Sequence, residues 1–178
     1  NDGVLEAEDA TFLMRALDFP ESKRTEVNML ALEPALTPAV AAKVSGITIN
    51  MATVMEHCYK VADSYEAVVV EGVGGITAPL IDDYLLADMI VAMNLPTILV
   101  ATAGLGSINQ VVLTAEYAKQ RKINWVGIII NKYDENMKKS KSKYMKDKSV
   151  KMGTLQQNIL NKRVLKWWTK QRLQLVMI

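Results

Sequence analysis

Three places in this 178-residue chain put chemically capable residues where an apolar run gives way to a loop. The run Ala67 to Val70 ends at Glu71 and is followed by Gly72-Val73-Gly74-Gly75. A carboxylate at a strand end can hold Mg²⁺ directly or through water, and glycines let the backbone approach a phosphate closely. The same residues also suit a tight strand-to-helix turn with a solvated acid. The second place is the small-residue loop Ala103-Gly104-Leu105-Gly106, which opens a helix at Ser107. Free N–H groups and the positive end of the dipole favour an anion there, although Ser107 also suits an ordinary N-cap. The third is Asn131-Lys132-Tyr133-Asp134, which fits an N-K-x-D element able to read guanine. Asp9 lies in the first turn of another helix, where an acid favours the helix dipole.

The elements that must carry these residues can be read from spacing. Glu6 to Leu17 has Phe12, Leu13, Ala16 and Leu17 at helical intervals and ends before Pro20. Thr37-Pro38 opens a helix through Val44 with Gly46 after it, and Asn50 caps another with Val54, Cys58 and Val61 on one face. Ala67–Val70 suits a strand buried on both faces. A helix over about Tyr84 to Met93, a strand over Thr97 to Ala101, a helix from Ser107 to Gln120 and a strand over Val126 to Ile130 follow. Short apolar strands separated by helices predict βαβ units, a mostly parallel sheet flanked by helices, and so an α/β fold. Ligands of such sheets gather beyond the carboxyl ends of the strands. Glu71, the Gly104 loop and Asn131 are therefore expected to converge on one rim. No clean strand is predicted after Asn131.

The motifs, in this order, resemble those of the dethiobiotin synthase family. Val69-Val70-Glu71-Gly72-Val73-Gly74-Gly75 is similar to the family's V-E-G-A-G-G segment, and Leu95-Pro96-Thr97-Ile98-Leu99-Val100 to its L-P-V-I-L-V strand. Leu105-Gly106-Ser107-Ile108-Asn109, with Leu113-Thr114, resembles its L-G-x-I-N-H-x-L-L-T loop and helix. Glu8-Asp9-Ala10 and Leu36-Thr37-Pro38 look like its S-D-A and S-P steps. The resemblance implies a P-loop NTPase-like fold and Mg-ATP-dependent closure of a ureido ring on 7,8-diaminononanoate with CO₂. It implies Asp9 and Glu71 as Mg²⁺ ligands. Gly72, Val73, Gly74, Asn131 and Lys132, with the same two acids, would border the nucleotide. Gly106, Ser107, Ile108 and Asn109 would grip the substrate's carboxylate end across a homodimer interface.

The match breaks at both ends. Gly3 is the only glycine before Gly46 and no G-K-[ST] occurs, so the family's phosphate loop and its lysine in a K-P context have no counterpart here. The family's catalytic residues therefore have no match in this sequence. The chain starts at Asn1 rather than Met, which suggests a partial or processed, truncated form expected to bind nucleotide weakly and turn over little. A related amidoligase of the cobyrinate synthase type, or a non-catalytic binding module, are the competing readings.

Composition bounds the rest. Residues 1–131 carry eight Lys/Arg against sixteen Asp/Glu, a balance of −8; residues 132–178 carry thirteen against three, or +10. We expect an α/β domain over 1–132 and a basic, helical or disordered extension over 133–178, with a helix over Gly153 to Val176 as its helical reading and nucleic acid not expected as a partner. One cysteine, Cys58, excludes an internal disulfide and suits a reducing, cytoplasmic setting. One histidine excludes a multi-histidine metal site, and no apolar run is long enough for a membrane span.

Overall fold

A computed structural model describes residues 7–132 and the backbone of 176–177. The expected boundary at 132/133 falls at the edge of the described residues, and the predicted tail helix lies outside them except for its last residue, Val176, which is in a strand. The described residues fall into two compact units, one through residue 89 with 176–177 and one from residue 90 onward.

In the first unit, α1 (Glu8–Ala16) has Glu8 and Asp9 in its first turn and Arg15 in its last, a distribution that complements the helix dipole. Ala10 and Met14 point inward, against Val27 of the short α2 (Arg24–Val27), with Leu13 and Phe19 packed beside them. This corrects the expected face: Phe12 is 70% exposed and Leu17 is exposed too. Positions 10, 13 and 14 share one stripe of a 3.6-residue helix and position 12 lies off it. A 3₁₀ turn, Glu21–Lys23, precedes α2. Lys23 and Tyr65 both reach the Glu26 carboxylate. These hydrogen bonds, Lys23's the larger, hold Glu26 below the usual carboxylate range.

Pro38 starts α3 (Pro38–Ser45), and left-handed Gly46 ends it by letting the Ile47 N–H return to the Ala42 carbonyl, 2.9 Å away. Thr37 occupies the N-cap position without a side-chain cap bond. Asn50 does cap α4 (Met51–Ser64): its Oδ1 accepts from the Thr53 N–H at 3.2 Å. Val54, Cys58 and Val61 are buried along one face of α4, as predicted.

β1 (Val70–Glu71) is shorter than the predicted run, and only Val68 nearby is fully buried while Ala67 is exposed. The strand pairs in parallel with β6 (Val176–Met177), a strand that local pattern does not reveal. A second unpredicted feature precedes the next helix. β2 (Pro79–Ile81) and β3 (Tyr84–Leu85) form an antiparallel hairpin through Asp82, whose φ is 43°. Alternation places Leu80 in the core, 2% exposed, and α3 packs against β2. The helix expected from Tyr84 thus begins two residues later, as α5 (Leu86–Met93).

The second unit is a βαβ arrangement. β4 (Thr97–Thr102) pairs in parallel with β5 (Trp125–Asn131), and α6 (Ser107–Gln120) joins them and packs on β4. Register runs from Thr97 opposite Trp125 to Thr102 opposite Asn131, with one irregularity between Thr97 and Ile98. Val111 and Ala118 of α6, with Ile123 and Ile128, form its buried set. The described strands form three two-stranded sheets, two parallel and one antiparallel, in place of the one mostly parallel sheet expected; the helix-joined parallel β4–β5 pair and the family model make the fold α/β, as expected.

Candidate functional site

In the first unit Glu71 is the last residue of β1 and its side chain is exposed. Gly72 follows in a position set by space rather than by backbone angle. A Cβ there would lie 2.4 Å from Leu86 Cδ2 and 2.8 Å from Cδ1, yet its φ is not left-handed. Gly74, at φ 74°, needs glycine for the opposite reason. Val73 and Gly74 are exposed, so the backbone after Glu71 is accessible. The far side of this loop is fastened to the start of α5. Leu86 N–H donates to the Ala78 carbonyl and Ala87 N–H to the Ile76 carbonyl, each at 2.9 Å. The Asp88 carboxylate accepts from the Leu85 N–H at 2.7 Å, the reach-back half of a capping box. Sequence reasoning passed over Leu86 and Asp88. An acid three residues after the N-cap was the available signal for the second; nothing local signals the first.

Asp9 is exposed in the first turn of α1. Among the described residues no group of three or more His, Cys, Asp or Glu is gathered as for a metal. Asp9 and Glu71 are each exposed, and an exposed carboxylate can contribute to Mg²⁺ with phosphate oxygens and waters completing the shell. His57 offers no ligand set; its Nε2 is buried, with no hydrogen-bond partner among the described residues.

In the second unit the Gly104 loop and Asn131 meet at one edge. Ala103 N–H donates to the Asn131 carbonyl at 3.0 Å, so the loop leaves β4 already tied to the last residue of β5. Within the loop the Ser107 hydroxyl donates to the Gly104 carbonyl at 2.5 Å and accepts from its N–H at 3.2 Å. The N-cap is Gly106, at φ 85°, rather than Ser107. A serine one residue inside the helix does more by closing the turn than by capping. What the loop presents outward is the backbone of Ile108 and Asn109, first-turn N–H groups with no intrahelical carbonyl to reach. Leu105 is fully exposed, and Ile108 and Leu113 are at least half exposed.

Asn131 directs Oδ1 to the N–H of Lys132, 2.8 Å away, and Lys132 takes a left-handed φ of 53°. Asn131 is itself exposed. Tyr133 and Asp134 lie outside the described residues. Two of the three expected strand-end sites, the Gly104 loop and Asn131, thus share the carboxyl edge of β4–β5; Glu71 closes β1 in the other unit.

A family model described as an AAA domain matches residues 1–165. An ATP-dependent dethiobiotin synthetase from Bacillus licheniformis is 43% identical over 106 residues, covering 60% of this chain and 45% of its own. The enzyme of that name from Clostridium novyi is 44% identical over 108 residues, 58% of this chain and 45% of its own. That of Clostridium botulinum is 32% identical over 136 residues, 75% and 60% respectively. The chain spans about half the length of the curated relatives it matches.

Proposed function

From the premise that the chain belongs to the AAA-domain family, in its dethiobiotin synthase branch, we propose that the protein closes the ureido ring of dethiobiotin in biotin biosynthesis. One amine of 7,8-diaminononanoate takes up CO₂ as a carbamate. A carbamate oxygen attacks the γ-phosphorus of ATP and ADP departs, leaving a carbamic–phosphoric anhydride. The second amine attacks its carbonyl carbon, a proton leaves the nitrogen, and phosphate is expelled as the ring closes. Positioning and charge neutralisation supply most of the acceleration in such phosphoryl transfer.

The residues take the following parts. Glu71 and Asp9 hold Mg²⁺, which when bound neutralises charge on the phosphate oxygens. The accessible backbone of Gly72, Val73 and Gly74 runs beside the nucleotide. The first-turn amides of α6, from Gly106 through Ser107 and Ile108 to Asn109, receive the substrate carboxylate. The exposed Leu105, Ile108 and Leu113 next to them support a homodimer contact there. Asn131 and Lys132 face the base. ATP is the nucleotide used, with relaxed discrimination against GTP. No helix among the described residues is long and apolar enough to cross a membrane; one buried cysteine suits the cytoplasm.

The observation that carries this reading is the bond from Ala103 N–H to the Asn131 carbonyl, which ties the carboxylate-receiving turn to the base-facing residue. Its test is phosphate release from ATP and from GTP by the protein expressed from its whole reading frame, with bicarbonate and Mg²⁺. Release should require the diamine, and Glu71→Gln should lower it about a hundredfold, at or beyond the loss usual for residues supporting a metal. Release indifferent to the diamine would refute the assignment and favour a related amidoligase.

A further inference from the structure

We infer that Leu86 is a positioning residue for Glu71, acting through Gly72; this rests on the reading of Glu71 as a Mg²⁺ ligand. Glu71 is the last residue of a two-residue strand, paired only with the equally short β6, so β1 alone sets its carboxylate poorly. The residue after it is where the constraint enters. Leu86 Cδ2 and Cδ1 occupy the space a side chain on Gly72 would need, 2.4 and 2.8 Å from that Cβ position. Leu86 is itself buried, 8% exposed, so it cannot turn aside into solvent without losing its packing.

The same residue holds the other end of the loop. Its N–H donates to the Ala78 carbonyl, the neighbouring Ala87 N–H donates to Ile76, and Ala78 N–H closes onto Gly75 at 2.8 Å. One leucine at the first position of α5 therefore grips residues 72–78 at both margins, by side chain at Gly72 and by backbone at Ala78. Asp88 fixes that helix start through the Leu85 N–H. A metal ligand misplaced by an ångström loses much of its effect, and groups that orient ligands typically matter ten- to a hundredfold. Leu86 belongs to that class.

Because Gly72 has no left-handed φ, an alanine there offends only by volume. Gly72→Ala and Leu86→Ala should each disturb Glu71, and the double variant should repair the damage by letting the new methyl enter the vacated space. The experiment uses full-length protein and a fluorescent ATP analogue, titrating Mg²⁺ for half-saturation of binding. Amide exchange over 72–78 is followed separately. Each single variant should raise the Mg²⁺ half-saturation about tenfold and speed exchange in the loop, and G72A/L86A should restore both. Val61→Ala, a core change elsewhere in the first unit, should lower the melting temperature and leave Mg²⁺ half-saturation unaltered. Wild-type binding that depends on Mg²⁺ and Glu71 but is unmoved in L86A overturns this inference alone. Binding indifferent to Mg²⁺ and Glu71 overturns the functional reading and this inference with it. Unchanged loop exchange in L86A overturns the grip itself.

Discussion

Single side chains in this protein divide into those kept from water and those offered to it, and Cys58 shows the first kind. It is 1% exposed on the inner face of α4, and burial pushes its thiol up to about 11. At pH 8 that leaves roughly one thiol in a thousand ionised, and the thiolate is the reactive form. Iodoacetamide should therefore label native protein at least about a hundredfold more slowly than urea-unfolded protein at the same pH; comparable rates would show that Cys58 is open. The raised value also sets a sign. The folded state holds this proton more tightly than the unfolded chain, so the contribution is whole at neutral pH. It drains away only as alkaline pH rises from the unfolded toward the folded value. At this scale the candidate site was partly legible. Glu71, Gly74 and Asn131 announce themselves by type and by standing at the end of an apolar run. Ser107 was legible as important but not in its role, because its partner is a backbone three residues back. Leu86 was invisible, since its effect depends on which residue lies across a hairpin from it.

Helices and strands were legible in proportion to how locally their signals are written. Pro38 and Gly46 mark both ends of α3, and Asn50 marks the start of α4 by a bond the sequence could anticipate. Asn50→Ala should cost about 1 kcal/mol, read as a lower urea midpoint in the melting of α4 by circular dichroism. Asn50→Asp should retain most of the stability, and equal loss in both would remove the cap from the account. β4, α6 and β5 were legible almost to the residue, because each has a long apolar pattern between turn residues. The β2–β3 hairpin was not: two-residue and three-residue strands around Asp82-Asp83 are too brief for alternation to show. β6 was missed for a different reason. It lies more than a hundred positions from β1 in the chain, and no window along the sequence contains both. Large residues alone point to the wrong face of α1; the small Ala10 is what packs with Met14 and Val27.

For the whole molecule, charge is the most plainly written property. A net charge of +2 conceals −8 over residues 1–131 and +10 over residues 132–178. The full chain should bind a cation exchanger at neutral pH and elute with moderate salt, since such attraction is screened within about 10 Å at 0.1 M. A chain ending at Asn131 should pass through that column and bind an anion exchanger instead. Retention of both forms on the same resin would mean the two balances are not displayed separately. The second unit has a further result, which lies in where the irregularity of its strand pair falls. In the β4–β5 pair the mismatch sits between Thr97 and Ile98, at the amino margin, while pairing is unbroken to Thr102 and Asn131. A one-residue slip in a strand would turn every side chain to the opposite face. Here, lengthening or shortening the stretch from Arg121 to Asn124 can be taken up at that distant margin. The edge bearing Asn131 keeps its alignment while the opposite edge tolerates change in length.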